Sequence, residues 1–171
     1  MRRMFLAVVA LAATALLLVF AVGALADGGH GRHGDDNGRG NGGRSLFEST
    51  IVPNLPTDPA IHGVSPAGAA WMIKRGEVRI SSGGGFRVEV RGLVLQSTGA
   101  NPIPSLTAVL FCGVDTTPAA SSGPVPFSTA GNADVRTNVT LPAKCIAPVV
   151  LLEISPSAGQ VRWIGASGLS G

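Results

Sequence analysis

Glu77-Val78-Arg79-Ile80-Ser81-Ser82-Gly83-Gly84-Gly85-Phe86-Arg87-Val88-Glu89-Val90-Arg91 is the stretch whose reading decides the fold. Apolar and charged residues alternate on both sides of a glycine run, the pattern of two half-buried strands joined by a tight turn. With Gly83-Gly84-Gly85 as a three-residue loop, Ser82 pairs with Phe86, Val78 faces Val90 and Ile80 faces Val88. The other side then matches Glu77 with Arg91 and Arg79 with Glu89, and such cross-strand pairs contribute roughly 0.2–1 kcal/mol each. Glycine supplies the positive φ that a three-residue hairpin loop requires.

The same period of two recurs outward from this hairpin, and helical periodicity is absent. Leu106 to Cys112 reads as a mostly apolar strand after the turn Gly99-Ala100-Asn101-Pro102. Pro118 to Pro124 reads as loop, and Val125 to Ser128 as a short edge strand, since Pro126 has no ladder donor. Ala133 to Leu141 alternates, with Val135, Val139 and Leu141 on one face. Val149 to Ile154 is a continuous apolar run, as expected of a central strand, and Gln160 to Ala166 closes the domain. Leu46 to Val52 is a further candidate strand, while Pro53, Pro56, Pro59 and Pro66 make the remainder to Gly68 an extended lead-in. Seven or eight short strands at this spacing predict an all-β fold, an antiparallel β-sandwich of Ig-like or Greek-key type. A partly open barrel is the nearest rival.

Upstream, Arg2 and Arg3 precede an apolar run from Met4 to Leu25, and Ala24-Leu25-Ala26 stands before Asp27. Charged region, apolar region and small-x-small site are the layout of a secretory signal peptide, 1–26, cut between Ala26 and Asp27. The competing reading is an uncleaved anchor, because about 20 apolar residues suffice to span a bilayer. Arg2-Arg3-Met4-Phe5-Leu6 also resembles the core of a twin-arginine signal, so the sequence leaves open which export route is used. Residues 27–44 contain eight Gly and no larger apolar side chain, which predicts a disordered linker. The domain is then 45–171, long enough for a core of its own. The expected location is secreted or extracellular, free of the membrane after cleavage or loosely associated with the cell envelope.

Removing the signal takes two of the thirteen basic residues and leaves ten acidic ones, so the net charge falls from +3 to near +1. That balance, together with export, argues against a nucleic-acid partner. The excess of Arg over Lys, with abundant Ala, Gly, Val and Pro, suggests a GC-rich bacterial genome. In an exported domain the isolated pair Cys112 and Cys145 reads as a disulfide, stabilising by roughly 3.5–4 kcal/mol on the chain-entropy model. Two buried thiols or a Cys nucleophile are the alternatives.

Candidate chemistry is sparse. Cleavage after Ala26 leaves Asp27-Gly28-Gly29-His30, in which an amine, backbone amides and a His could form a square-planar Cu(II) or Ni(II) site after loss of Asp27. His30 and His33 with Asp35 and Asp36 could also hold a divalent ion, against the plainer reading of a solvated spacer. Trp71 and Trp163 could stack on sugar rings. Each alternates in phase with a neighbouring apolar residue, Ile73 and Val161, and this favours the core. His62 is the one His of the domain, with Asp58, Asp115 and Asp134 available for a triad. No nucleophile elbow is present: Gly165-Ala166-Ser167-Gly168-Leu169 departs from G-x-S-x-G at its last position. Two of Glu48, Glu77, Glu89 and Glu153 could pair as in a glycosidase. No cofactor-binding fingerprint occurs. Asn138-Val139-Thr140 fits a glycosylation sequon and marks an exposed strand face.

From about Pro66 to Gly168 the chain resembles small exported bacterial β-domain proteins of uncharacterised function. The residues that carry this are the Trp71-x-Ile73 strand, Arg91-Gly92-Leu93-Val94, the cysteine pair and Arg162-Trp163-Ile164-Gly165. It also resembles the CHRD type of extracellular β-domain, in paired strands that end in a Gly-x-x-Arg-like hairpin, without that family's His-rich segment. Neither resemblance implies an activity. The expectation is a secreted non-enzymatic module that binds a protein or a cell-envelope polymer. The alternative is a secreted hydrolase or metal-binding protein using His62 or the His30/His33 arm.

Overall fold

The computed structural model describes residues 43–169; the signal segment, the Ala26–Asp27 junction and the stretch carrying His30 and His33 lie outside the described residues. The strands are β1 (Ser45–Pro53), β2 (Ser65–Pro66), β3 (Trp71–Met72), β4 (Arg75–Ser81), β5 (Gly85–Arg91) and β6 (Val94–Leu95). They continue with β7 (Ser105–Phe111), β8 (Ala120–Pro126), β9 (Ala133–Asn138), β10 (Val149–Ser157) and β11 (Gln160–Gly168). No helix occurs among the described residues. One sheet runs β8-β7-β10-β11-β1-β4-β5-β9, with every neighbouring pair antiparallel. β2 adds to β11 in parallel, and β3 and β6 form a separate ribbon.

The all-β, antiparallel expectation therefore holds, but the architecture is a nearly closed, barrel-like sheet of eight principal strands, without the clear division expected of a sandwich. Chain reach explains the curl. β8 and β9 stand at opposite ends of the strand order, yet only residues 127–132 connect them. Laid flat, their separation is seven strand spacings, about 34 Å at ~4.8 Å each. The seven Cα steps from Pro126 to Ala133 span at most about 25 Å when fully extended. They are also folded back on themselves: Ser128 N–H donates to Asn132 O at 3.0 Å and Gly131 N–H to Ser128 O at 2.8 Å. The two edges must approach each other.

They approach without pairing, and two prolines account for it. Phe127 N–H donates to Pro104 O at 2.9 Å, toward the β7 side of β8. Strand alternation then turns the nitrogens of Pro124 and Pro126 to the side facing β9, where proline offers no donor. A seam remains between β8 and β9. Cys112 and Cys145 are disulfide-bonded, with Cα atoms 5.1 Å apart, and their closed loop contains both seam strands.

The central hairpin forms in a register two residues away from the expected one. Val78 pairs with Val88 and Ile80 with Phe86, while Glu77 faces Glu89 and Arg79 faces Arg87. The loop is Ser82-Gly83-Gly84: Gly84 takes the left-handed position (φ 79°) and donates its N–H to Ser81 O at 2.9 Å. A shift of two keeps every side chain on its expected face. It also sets Ile80, rather than Ser82, opposite Phe86. An aromatic–β-branched pair on the core face contributes roughly 0.2–1 kcal/mol, comparable to or more than the exposed charge pairs forfeited. The second difference is β8, expected as loop up to Pro124; its first residues, Ala120 and Ser121, pair with Leu110 and Val109 of β7.

Inward residues of the barrel form the main core, with Phe86, Leu93, Val150, Leu152 and Ile164 fully buried. A second cluster of Val109, Phe111, Leu151, Trp163 and Ala166 lies on the outer face, packed against Ile61 and Val64 of the Pro-rich lead-in. The lead-in is held by Asn54 N–H to Ile164 O (3.1 Å) and Ala67 N–H to Trp163 O (2.9 Å). The expected continuous apolar run follows from this: β10 is covered on both faces, Leu152 inward and Leu151 outward.

A Cβ on Gly84 meets the carbonyl of Val139 and forces a left-handed L-residue, whereas one on Gly83 meets nothing. Gly84→Ala is expected to cost more than about 1 kcal/mol in urea unfolding. Gly83→Ala is expected to stay within about 0.5 kcal/mol. Equal losses at the two positions would refute the observed loop register.

Candidate anion-binding face

With Val78, Ile80, Val88, Val90 and Val135 facing the core, strand alternation turns the charged residues of β4, β5 and β9 outward. The registers then align them in rows across the strands. One row is Glu48–Arg79–Arg87–Arg136, from β1 through β4 and β5 to β9. The next is Thr50–Glu77–Glu89–Asp134, and beyond it Arg75 faces Arg91. Like charges directly opposite each other are unfavourable, so the expected matching of opposite charges across the hairpin is replaced by contacts between rows.

Those contacts are selective. Arg75 Nη2 meets Glu77 Oε1 at 2.9 Å, and Arg91 Nη2 meets both Glu89 Oε1 (3.3 Å) and Asp134 Oδ1 (3.0 Å). The acidic row is thus neutralised from its outer side. The hydrogen bond that Arg91 donates to Asp134 is the main influence raising the Arg91 pKa, assisted by both carboxylates' charge and opposed by burial. Arg79 Nε meets Glu48 Oε1 at 2.9 Å. Arg87 and Arg136, Cα partners on adjacent strands, enter no ion pair among the described residues. The paired side chains are 36–63% exposed, so solvent screens each contact and it contributes little to stability. Both rows line a surface depression of about 560 Å³ that also reaches Ser49 and Leu169.

The sequence-expected sites fare differently. Trp71 and Trp163 are 4% and 3% exposed, so neither presents a ring face for sugar stacking; both belong to the core clusters. His62 stacks on Phe111 with ring centroids 4.7 Å apart, and its Nδ1 lies 2.7 Å from the backbone oxygen of Asp115. A main-chain carbonyl occupies the place a triad carboxylate needs. Asp58 instead accepts from Leu55 N–H at 2.7 Å, and Asp134 pairs with Arg91. Ser167 Oγ accepts from Val150 N–H at 2.9 Å. Among the described residues no group of three His, Cys, Asp or Glu could hold a metal, and the His30/His33 arm lies outside them. Glu77 and Glu89 face each other in register, but Arg75 and Arg91 hold them as ion pairs.

Glu153 is the carboxylate that stands apart. It lies opposite Thr107 on β7 and Trp163 on β11, half-buried, with Oε1 sealed from solvent and without a hydrogen-bond partner. Trp163 Nε1 is also buried and unpartnered. Burial alone raises the Glu153 pKa. The sequence signal for it was an acid inside an otherwise apolar run.

A raised folded-state pKa means that the native protein binds this proton more readily than the unfolded chain. The contribution to stability is full below the unfolded pKa and is lost as pH rises through the folded one. Glu153→Gln is therefore expected to raise Tm at pH 7 by at most a few degrees, the half-exposed side chain being screened by solvent, with the gain shrinking toward pH 4. A pH-independent difference in calorimetry would contradict this. Comparison with known proteins adds no kinship: no family model, no curated protein and no solved structure matches the chain.

Proposed function

We propose that this chain is a secreted, non-enzymatic module that binds an anionic polymer of the cell envelope along the row Arg79–Arg87–Arg136. The observation that carries the reading is the in-register pair Arg87 and Arg136, side by side on adjacent strands without carboxylate partners among the described residues, while every acid of the adjacent row has a basic one. Guanidinium groups bind carboxylate and phosphate bidentately, and the strand spacing offers a cation about every 4.8 Å. A linear polyanion lying across the strands meets one guanidinium after another. The acidic row alongside repels it on that side and confines it to a single line. Export is expected from the N-terminal sequence, and the disulfide is compatible with an extracellular setting.

A hydrolase based on His62 has less support, because that ring meets a backbone oxygen rather than a carboxylate. A net charge near +1 after signal removal makes the attraction local to this face, rather than a property of the whole molecule.

The test is binding of the mature protein to polyphosphate and to polygalacturonate. Affinity is expected to fall with added salt. The Arg87→Gln/Arg136→Gln double variant is expected to bind about tenfold more weakly, corresponding to about 1.4 kcal/mol, with unchanged Tm. Arg75→Gln serves as the control and is expected to bind normally. Equal binding by the double variant, or no binding at low salt, sinks the proposal.

A further inference from the structure

The other half of the strand order carries a cavity of about 290 Å³ on the outer side of β7, β8, β10 and β11. Glu153 is the one charged side chain among its lining residues. Around it stand Ser105, Thr107, Ser121 and Ser155, and Val161 contributes an apolar wall. We propose that this cavity is a receptor for a primary alkylammonium group, with the Glu153 carboxylate as its counter-ion.

A carboxylate taken partly out of water without a cation beside it is costly; Glu153 Oε1 is sealed from solvent without a partner, which leaves Oε2 as the oxygen that meets a ligand in the cavity. Burial is the whole cause of its raised pKa; no neighbouring charge contributes. The missing component is therefore a cation supplied from outside. An ammonium is compact and carries three donors, one for the carboxylate and two for hydroxyl oxygens. A guanidinium needs a planar pair of acceptors that a single carboxylate ringed by hydroxyls provides less well. The methylene stem of an alkylammonium suits the Val161 side of the opening. A lysine side chain and an amino sugar both present this group. The cavity shares no lining residue with the depression along the arginine row, so the two can be tested independently.

Trp163 and Trp71 are the only tryptophans, and Trp163 is the register partner of Glu153, so its indole N–H resonance reports on the site while that of Trp71 serves as an internal reference. The experiment titrates the ¹⁵N-labelled mature protein with butylammonium, Nα-acetyl-lysine amide and glucosamine, with butanol and N-acetylglucosamine as uncharged controls. The expected result is a saturable shift of the Trp163 signal with the amines, a still Trp71 signal, and at least tenfold weaker binding to Glu153→Gln. Tighter binding of the lysine amide identifies a protein source for the ammonium, and tighter binding of glucosamine a polysaccharide source. The proposal is overturned if no amine gives saturation, if butanol matches butylammonium, or if Glu153→Gln binds as well as the parent. The variant keeps the site's shape and is expected to fold with raised stability, so loss of binding in it is not loss of structure.

Discussion

The reach of residues 127–132 constrains everything else in this domain. Two strands at opposite ends of an eight-strand order are joined by a connection too short for a flat sheet, so the sheet has to curl. Curling gives the inward residues a shared interior in which Phe86, Val150, Leu152 and Ile164 meet. It also commits the alternate residues to the outside, where the charged rows of β4, β5 and β9 and the hydroxyl-lined cavity around Glu153 are found. Both proposed sites are products of strand parity acting on a closed surface.

The outer face is not uniformly polar, and this sets the limits of each site. On β7, β10 and β11 the lead-in 54–67 covers Phe111, Leu151 and Trp163, giving those strands a second core. Glu153 lies opposite Trp163 of that second core and its carboxyl is partly dehydrated, whereas the acids of the charged rows keep about half of their side-chain surface in solvent. On β4, β5 and β9 nothing comparable lies over the sheet among the described residues, and Arg87 and Arg136 remain exposed. The same chemistry, a charged side chain on an outward strand position, thus acquires different properties from what lies above it.

Strand parity was legible in the sequence because alternation survives any shift by two, and the hairpin, β7, β9, β10 and β11 follow from it. Register was not legible. Ser82 followed by three glycines offers more than one candidate for the left-handed loop position, and the choice rests on Ile80 meeting Phe86. That uncertainty concealed the arginine row, since the expected register sets Arg79 opposite Glu89 and Arg87 opposite Ser81, so that the two arginines are not neighbours across the hairpin. β8 was hidden for another reason: Ala120-Ser121-Ser122-Gly123-Pro124 has the composition of a loop and becomes a strand because β7 otherwise has an open edge. Both indoles were placed by alternation with apolar neighbours, and they are buried. Curvature was legible only as the rival reading, a partly open barrel, because choosing it over a sandwich depends on which strands neighbour one another.

The covalent loop closed by Cys112 and Cys145 contains both strands of the unpaired seam. An edge that lacks ladder hydrogen bonds is where a protease finds extended backbone most readily. A single cut anywhere between these cysteines divides the polypeptide into two chains that stay joined through sulfur. The nicked molecule then survives as one two-chain unit, with the disulfide serving as the only remaining covalent connection between its parts.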